Sequence, residues 1–151
     1  AALLANGVAP RPGIAATLAI ARAAGLRIGF VTTTTPRTVA MIRAALAGHL
    51  DMSDFAVITS KEDVVREKPD GEVYELALAR LGITPQEAVA IEDTAASQAA
   101  ATAAGVRCHL YTGAYAIAGD APLQTRDPAA ALRTDLAAMH NPDSHRLAAT
   151  G

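Results

Sequence analysis

Four short apolar runs, each flanked by helix-patterned stretches, constrain this chain more than any single residue does. The runs occupy residues 26–31, 55–59, 88–91 and 106–111. Residues 14–24 carry a helical pattern that Gly25 stops, with Pro12-Gly13 before it. Thr35 can cap and Pro36 can open a second helix, whose Val39, Ile42 and Leu46 fall on one face before Gly48. Pro69 opens a third, with Val73, Leu76, Ala77 and Leu81 at helical spacing and Gly82 at a left-handed cap. Thr84-Pro85-Gln86-Glu87 has the form of a capping box, residues 94–104 form an alanine-rich helix closed by Gly105, and a last helix with Leu132, Leu136 and Met139 begins at Asp127-Pro128. Alternating strands and helices call for parallel strands and right-handed crossovers. The expected fold is therefore α/β, a doubly wound, Rossmann-like sheet with helices on both faces.

The 151 residues include 13 basic and 15 acidic side chains, a net charge of −2, and are 51% hydrophobic. That is one domain of ordinary size, with no electrostatic reason to bind nucleic acid or an anionic membrane. A small partner is expected. No apolar run approaches the roughly 18 residues of a membrane span, and residues 1–7 lack the charged head and apolar core of a signal peptide. Cys108 is the single cysteine, which excludes an internal disulfide and fits a reducing compartment, the cytoplasm by default. With no tryptophan and five other aromatics, the core must be aliphatic and alanine-built, so helices should pack close.

A doubly wound sheet gathers its ligands at the carboxyl ends of its strands, and the chemistry-bearing residues fall there. Lys68, in Glu67-Lys68-Pro69-Asp70-Gly71-Glu72-Val73-Tyr74, precedes a proline and so belongs to an extended loop, from which its ammonium can reach inward. Such a point charge suits a bound phosphoryl group. Glu92 and Asp93 follow the apolar run 88–91, and two carboxylates held where a buried strand emerges call for a cation. Magnesium, which takes a few carboxylates plus waters and phosphate oxygens, fits. Thr32 ends a strand, and its hydroxyl with the amide of Thr33 can donate to a phosphate oxygen.

Blander readings exist for each. Thr34 and Thr35 read as helix capping, Lys68 alone as a solvated lysine, and Asp93 or Thr94 as a cap with Glu92 on the surface. His49, His109, His140 and His145 lie on unrelated elements and read as structural or surface residues, and Cys108 as a core thiol. No Walker loop and no Gly-x-Gly-x-x-Gly occurs.

From about residue 12 to 111 these segments resemble the second, third and fourth motifs of the haloacid dehalogenase superfamily, in the order and spacing of its β-phosphoglucomutase-like and sugar (bis)phosphate phosphatase branch. Val31-Thr32-Thr33-Thr34-Thr35-Pro36 and Tyr111-Thr112-Gly113-Ala114-Tyr115 are similar to sugar bisphosphate phosphatases related to the xylulose bisphosphate enzyme. Ser97 departs where a glycine is usual, Glu72 where aspartate is common, and Asp70-Gly71 replaces a small residue and proline. The resemblance implies a Mg2+-dependent phosphatase of a phosphorylated sugar or small metabolite, working through an aspartyl phosphate. Thr32, Thr33 and Lys68 would hold the phosphoryl group, and Glu92 and Asp93 the metal. A phosphosugar mutase and a catalytically inactive phosphate- and metal-binding module are the alternatives; a receiver-like domain is disfavoured because the early strand ends in threonine.

The family's first motif, a strand ending in Asp-x-Asp with nucleophile and general acid/base, has no counterpart between residues 1 and 25. Residues 1–11 are expected to be the end of a cap or linker, 12–140 a partial core and 141–151 a flexible tail. In the resembled sheet the first strand is central, between the runs 26–31 and 88–91. Without it the sheet should split, leaving two apolar edges. The chain is accordingly expected to be the downstream part of a longer polypeptide that supplies the nucleophile, and to be inactive alone.

Overall fold

The computed structural model of the chain describes residues 4–5, 9–10, 12–112 and 121–139, and within them helices and short strands alternate in the expected order. The expectations for residues 113–115, for the tail 141–151 and for His140 and His145 fall outside the described residues. The helices are α1 (Ile14–Ala23), α2 (Pro36–Leu46), α3 (Glu72–Leu81), α4 (Ala95–Ala103) and α5 (Pro128–Met139). Hydroxyls start two of them. Thr35 Oγ1 accepts the Thr38 amide at 3.2 Å, and Thr94 Oγ1 the Ser97 amide at 3.1 Å, each satisfying a donor that has no partner inside the helix. Gly82 closes α3 at φ 66°, and the Thr84–Glu87 capping box is formed, with Thr84 N–H donating to Glu87 at 2.7 Å.

The third helix starts at Glu72, not at Pro69. Asp70 Oδ1 accepts the Glu72 amide at 2.9 Å, so residues 68–70 form a turn that precedes the helix. Gly71 then lies so close to α4 that a Cβ there would come within 3.2 Å of the Ala104 amide nitrogen and 3.3 Å of the Ala100 carbonyl. This is the close helix packing expected of an alanine-rich core.

The strands are shorter than the apolar runs that contain them. A hairpin of β1 (Leu4–Ala5) and β2 (Ala9–Pro10), which the sequence reading did not foresee, precedes β3 (Gly29–Phe30), β4 (Val57–Ile58), β5 (Val89–Glu92) and β6 (Arg107–Leu110). β3 pairs with β4 and β5 with β6, both parallel, with Gly29 opposite Val57 and Val89 opposite Arg107. Residues 123–125 extend the outer edge of β6: Leu110 N–H donates to the Leu123 carbonyl at 2.9 Å and Thr125 N–H to the Leu110 carbonyl at 2.8 Å. The buried Gln98 amide secures this edge by donating to the Cys108 carbonyl at 3.0 Å and the Pro122 carbonyl at 2.5 Å.

Among the described residues no strand joins β3 to β5. Each half-sheet has its own apolar cluster: Phe30, Leu46, Leu50 and Met52 on one side, and Val73, Tyr74, Leu78, Ala100, Ala101, Val106 and Cys108 on the other. A cleft of about 970 Å³ lies between them, lined by Ile28 and Phe30, by Val89 and Ile91, and by Leu78 of α3 and Leu132 of α5. No helix among the described residues is long and apolar enough to cross a membrane.

The helix α5 is tied to β6 by charge. Asp135 accepts from Arg107 Nε at 3.0 Å and is bonded to His109 Nε2 at 2.5 Å, with the His109 and Asp135 side chains both largely buried. Removing the carboxylate leaves the buried His109 ring nitrogen without this partner, while the half-exposed Arg107 guanidinium can turn to water. Asp135→Ala should therefore lower unfolding stability by about 1–3 kcal/mol. A urea midpoint equal to that of wild type would show that the clasp contributes nothing.

Candidate functional site

The carboxyl ends of β3 and β5 face the same mouth, and the residues expected to do chemistry stand on them. Past Phe30 the chain runs through Val31 to Thr32, which is buried, while Thr33 is half-buried and Thr34 exposed. The turn is closed by its own side chains. Thr32 Oγ1 accepts the Thr34 amide at 3.1 Å and lies 3.1 Å from the Thr34 hydroxyl. The carbonyl of Thr34 in turn accepts the Lys61 amide at 2.7 Å.

Lys68 reaches inward from the loop before α3, with its side chain only 8% exposed. Its ammonium donates to the Val31 carbonyl at 3.0 Å and to Glu92 Oε1 at 2.6 Å. The Glu92 side chain is fully buried, and the reading of Lys68 as a solvated lysine and Glu92 as a surface residue does not hold. The loop conformation that puts Lys68 here is braced by Glu72, whose carboxylate accepts the amides of Val65 and Arg66 at 2.8 and 2.9 Å and Arg66 Nε at 3.0 Å. Hydrogen bonding by these amides and the Arg66 guanidinium holds the Glu72 carboxyl below its ordinary range.

The sequence reading assigned no role to Tyr74 and Thr59. Tyr74 donates its hydroxyl to Glu92 Oε1, the oxygen that Lys68 also contacts, and the Lys68 ammonium sits 5.3 Å from the centre of the Tyr74 ring. Burial first, and the Glu92 charge second, push the Tyr74 phenol well above its ordinary range, so it stays protonated and serves as a hydrogen-bond donor. Thr59, fully buried at the end of β4, bonds to both main-chain groups of Thr32. A phenol on the apolar face of a helix and a hydroxyl ending an apolar strand are the signals that would have found them.

Asp93 follows Glu92 at the mouth and is half-buried. Among the described residues no three His, Cys, Asp or Glu side chains form a metal cluster of their own. The donor chemistry nevertheless fits magnesium: consecutive carboxylates, one of them deeply buried, at the mouth of a strand are a partial oxygen shell of the kind that water and phosphate oxygens complete.

A family model described as haloacid dehalogenase-like hydrolase matches residues 2–105. The chain is 41% identical over 115 residues to protein CbbY of Cereibacter sphaeroides, which covers 76% of this chain and 50% of that protein. It is 34% identical over 120 residues to hexitol phosphatase A of Escherichia coli, covering 80% of this chain and 50% of that enzyme. A crystal structure of a CbbY variant from Rhodobacter sphaeroides in complex with xylulose-1,5-bisphosphate matches with a TM-score of 0.70 at 33% identity, over 84% of this chain and 58% of that one. The chain thus spans about half the length of the curated relatives it matches.

Cys108 lies in the cluster beneath Glu92, and burial, with the Glu92 charge adding to it, pushes its thiol from 9.0 up to about 12. Ionisation therefore favours the unfolded chain. The stability that the neutral thiol contributes is whole below pH 9 and is lost as pH rises towards 12. Urea unfolding followed from pH 8 to 11 should show a falling stability that Cys108→Ala flattens; parallel slopes for the two proteins would contradict the assignment.

Proposed function

Because the chain belongs to the haloacid dehalogenase-like hydrolase family, we propose that it is the phosphate- and metal-holding part of a Mg2+-dependent phosphatase of a phosphorylated sugar. The observation that carries this reading is the buried Lys68 ammonium, bonded at once to the carbonyl next to Thr32 and to the carboxylate of Glu92. A cation so placed touches both the turn that would hold phosphate and the carboxylate that would hold metal. Thr32, Thr33 and Lys68 bind the phosphoryl oxygens, and Glu92 and Asp93 hold Mg2+. When bound, the metal neutralises charge on the phosphoryl group. Lys68 adds a fixed positive charge in a site from which water is largely excluded, where such charge has the most effect on a transition state.

The nucleophile is an aspartate from a segment outside the described residues, on a strand that occupies the cleft between β3 and β5, and it is phosphorylated during turnover. Such a strand ends beside Lys68, which then serves carboxylate and phosphoryl group together. A sugar substrate is supported by relatives that bear the names hexitol phosphatase A and CbbY, the latter described with xylulose-1,5-bisphosphate. The lone buried Cys108 suits a cytoplasmic setting.

Phosphate release from a panel of sugar mono- and bisphosphates tests this. A polypeptide carrying the nucleophile strand should hydrolyse members of the panel with Mg2+ and lose activity with chelator, while residues 1–151 alone should be inactive. In the active form Lys68→Ala should cut turnover roughly 100- to 1,000-fold, as loss of other fixed electrostatic donors does. Turnover near wild type in that variant would remove Lys68 from the mechanism.

A further inference from the structure

We infer that Thr59 is a positioning residue that sets the shape of the phosphate-holding turn at residues 32–34, an inference that rests on the reading of Thr32 and Thr33 as phosphate donors. β3 and β4 form a parallel ladder. Thr59 N–H donates to the Phe30 carbonyl at 3.1 Å, as a parallel pair requires. Continued regularly, the ladder would send Thr32 N–H to the Thr59 carbonyl and Lys61 N–H to the Thr32 carbonyl.

The bonds run differently. Thr32 N–H donates to Thr59 Oγ1 at 2.8 Å, and the same hydroxyl donates to the Thr32 carbonyl at 2.8 Å. Lys61 N–H passes Thr32 and goes to the Thr34 carbonyl at 2.7 Å. The ladder has slipped by two residues on the β3 side, and one side-chain hydroxyl fills the missed rung. The slip falls where the chain after β4 leaves the ladder for a helical turn at Lys61–Asp63, which the Ser60 amide opens by donating to Asp63 Oδ2 at 2.7 Å.

The slip shapes the site. It leaves three residues, Val31 to Thr33, between consecutive main-chain rungs on the β3 side, enough for Thr34 N–H to turn back onto Thr32 Oγ1 and for Thr33 to form the bend. Thr59 and Thr32 are both buried, at 0% and 2% exposure, so water does not substitute for the hydroxyl. A hydroxyl offers a donor and an acceptor from one atom, and both are used here. Valine has the same branched shape and neither capacity, while serine keeps both.

The test uses the 151-residue chain with inorganic phosphate as the probe. Phosphate affinity is measured by calorimetry, and amide exchange by NMR, for wild type, Thr59→Val, Thr59→Ser and, as a destabilised control remote from the turn, Asp135→Ala. Thr59→Val should weaken phosphate binding roughly tenfold or more and speed exchange of the Thr34 and Lys61 amides by a similar factor, as loss of a buried hydrogen-bond partner does. Thr59→Ser should restore most of both, and Asp135→Ala should keep wild-type affinity despite its lower stability. Wild-type affinity in Thr59→Val, or an equal loss in Asp135→Ala, overturns the inference and leaves the phosphate site standing. A wild-type chain that binds no phosphate removes that reading of the turn instead; Thr59 is then judged on exchange alone, and unchanged protection of the Thr34 and Lys61 amides in Thr59→Val overturns it.

Discussion

The buried ammonium of Lys68 is the constraint around which the site is arranged. A charge taken out of water is costly unless its partners are close and well directed, and a buried pair that loses one member leaves the other uncompensated. Lys68 meets the requirement with Glu92 Oε1 at 2.6 Å and the Val31 carbonyl at 3.0 Å. Those partners belong to different half-sheets, one at the end of β5 and one just past β3. The cation can lie where it does only if both strand ends are held at the same level. Tyr74 extends the network into α3, sharing the Glu92 oxygen with Lys68 and placing an aromatic face beside the ammonium.

Below that bridge each half has its own apolar cluster, with Val31 from the β3 side also packed against the cluster of the β5–β6 half. The cleft is lined by Ile28 and Phe30, by Val89 and Ile91, and by residues of α3 and α5. Apolar side chains along a strand edge, with main-chain groups turned the same way, are the features by which one strand accepts another. The cleft therefore has the chemistry of a sheet interior, apolar above and below and polar along its sides. At its carboxyl end it meets a cation, which is a suitable neighbour for a carboxylate.

Much of this was legible in local sequence grammar. Thr35, Thr94 and the Thr84–Glu87 box cap as their spacing predicts, because a cap and its amide lie three residues apart. Lys68 and Glu92 stood out for the same kind of reason: a charge before a proline, and a carboxylate at the end of an apolar run, are anomalies that need no partner to be noticed. What was missed depends on pairs distant in sequence. Tyr74 meets Glu92 across 18 residues, Thr59 meets Thr32 across 27, and His109 meets Asp135 across 26. The helix start at Glu72 was misplaced because Asp70 captures its amide, a side-chain bond that outweighed the usual preference for proline at a helix's first position.

The supports of the site divide as the sheet does. The Thr32 turn is held from β4, through Thr59 and the Lys61 amide. Glu92 is held from α3 by Tyr74 and from the chain after β6 by the Tyr111 amide, which donates to its carbonyl at 2.7 Å. Lys68 contacts both strand ends, and α3, which carries Tyr74, also packs against β4. Substitutions that share no partner act independently, whereas those joined through one network do not. Thr59 and Tyr74 act on different strand ends, and the Lys68 ammonium, whose position each half must satisfy, is a direct polar link between the Thr32 turn and the Glu92 carboxylate.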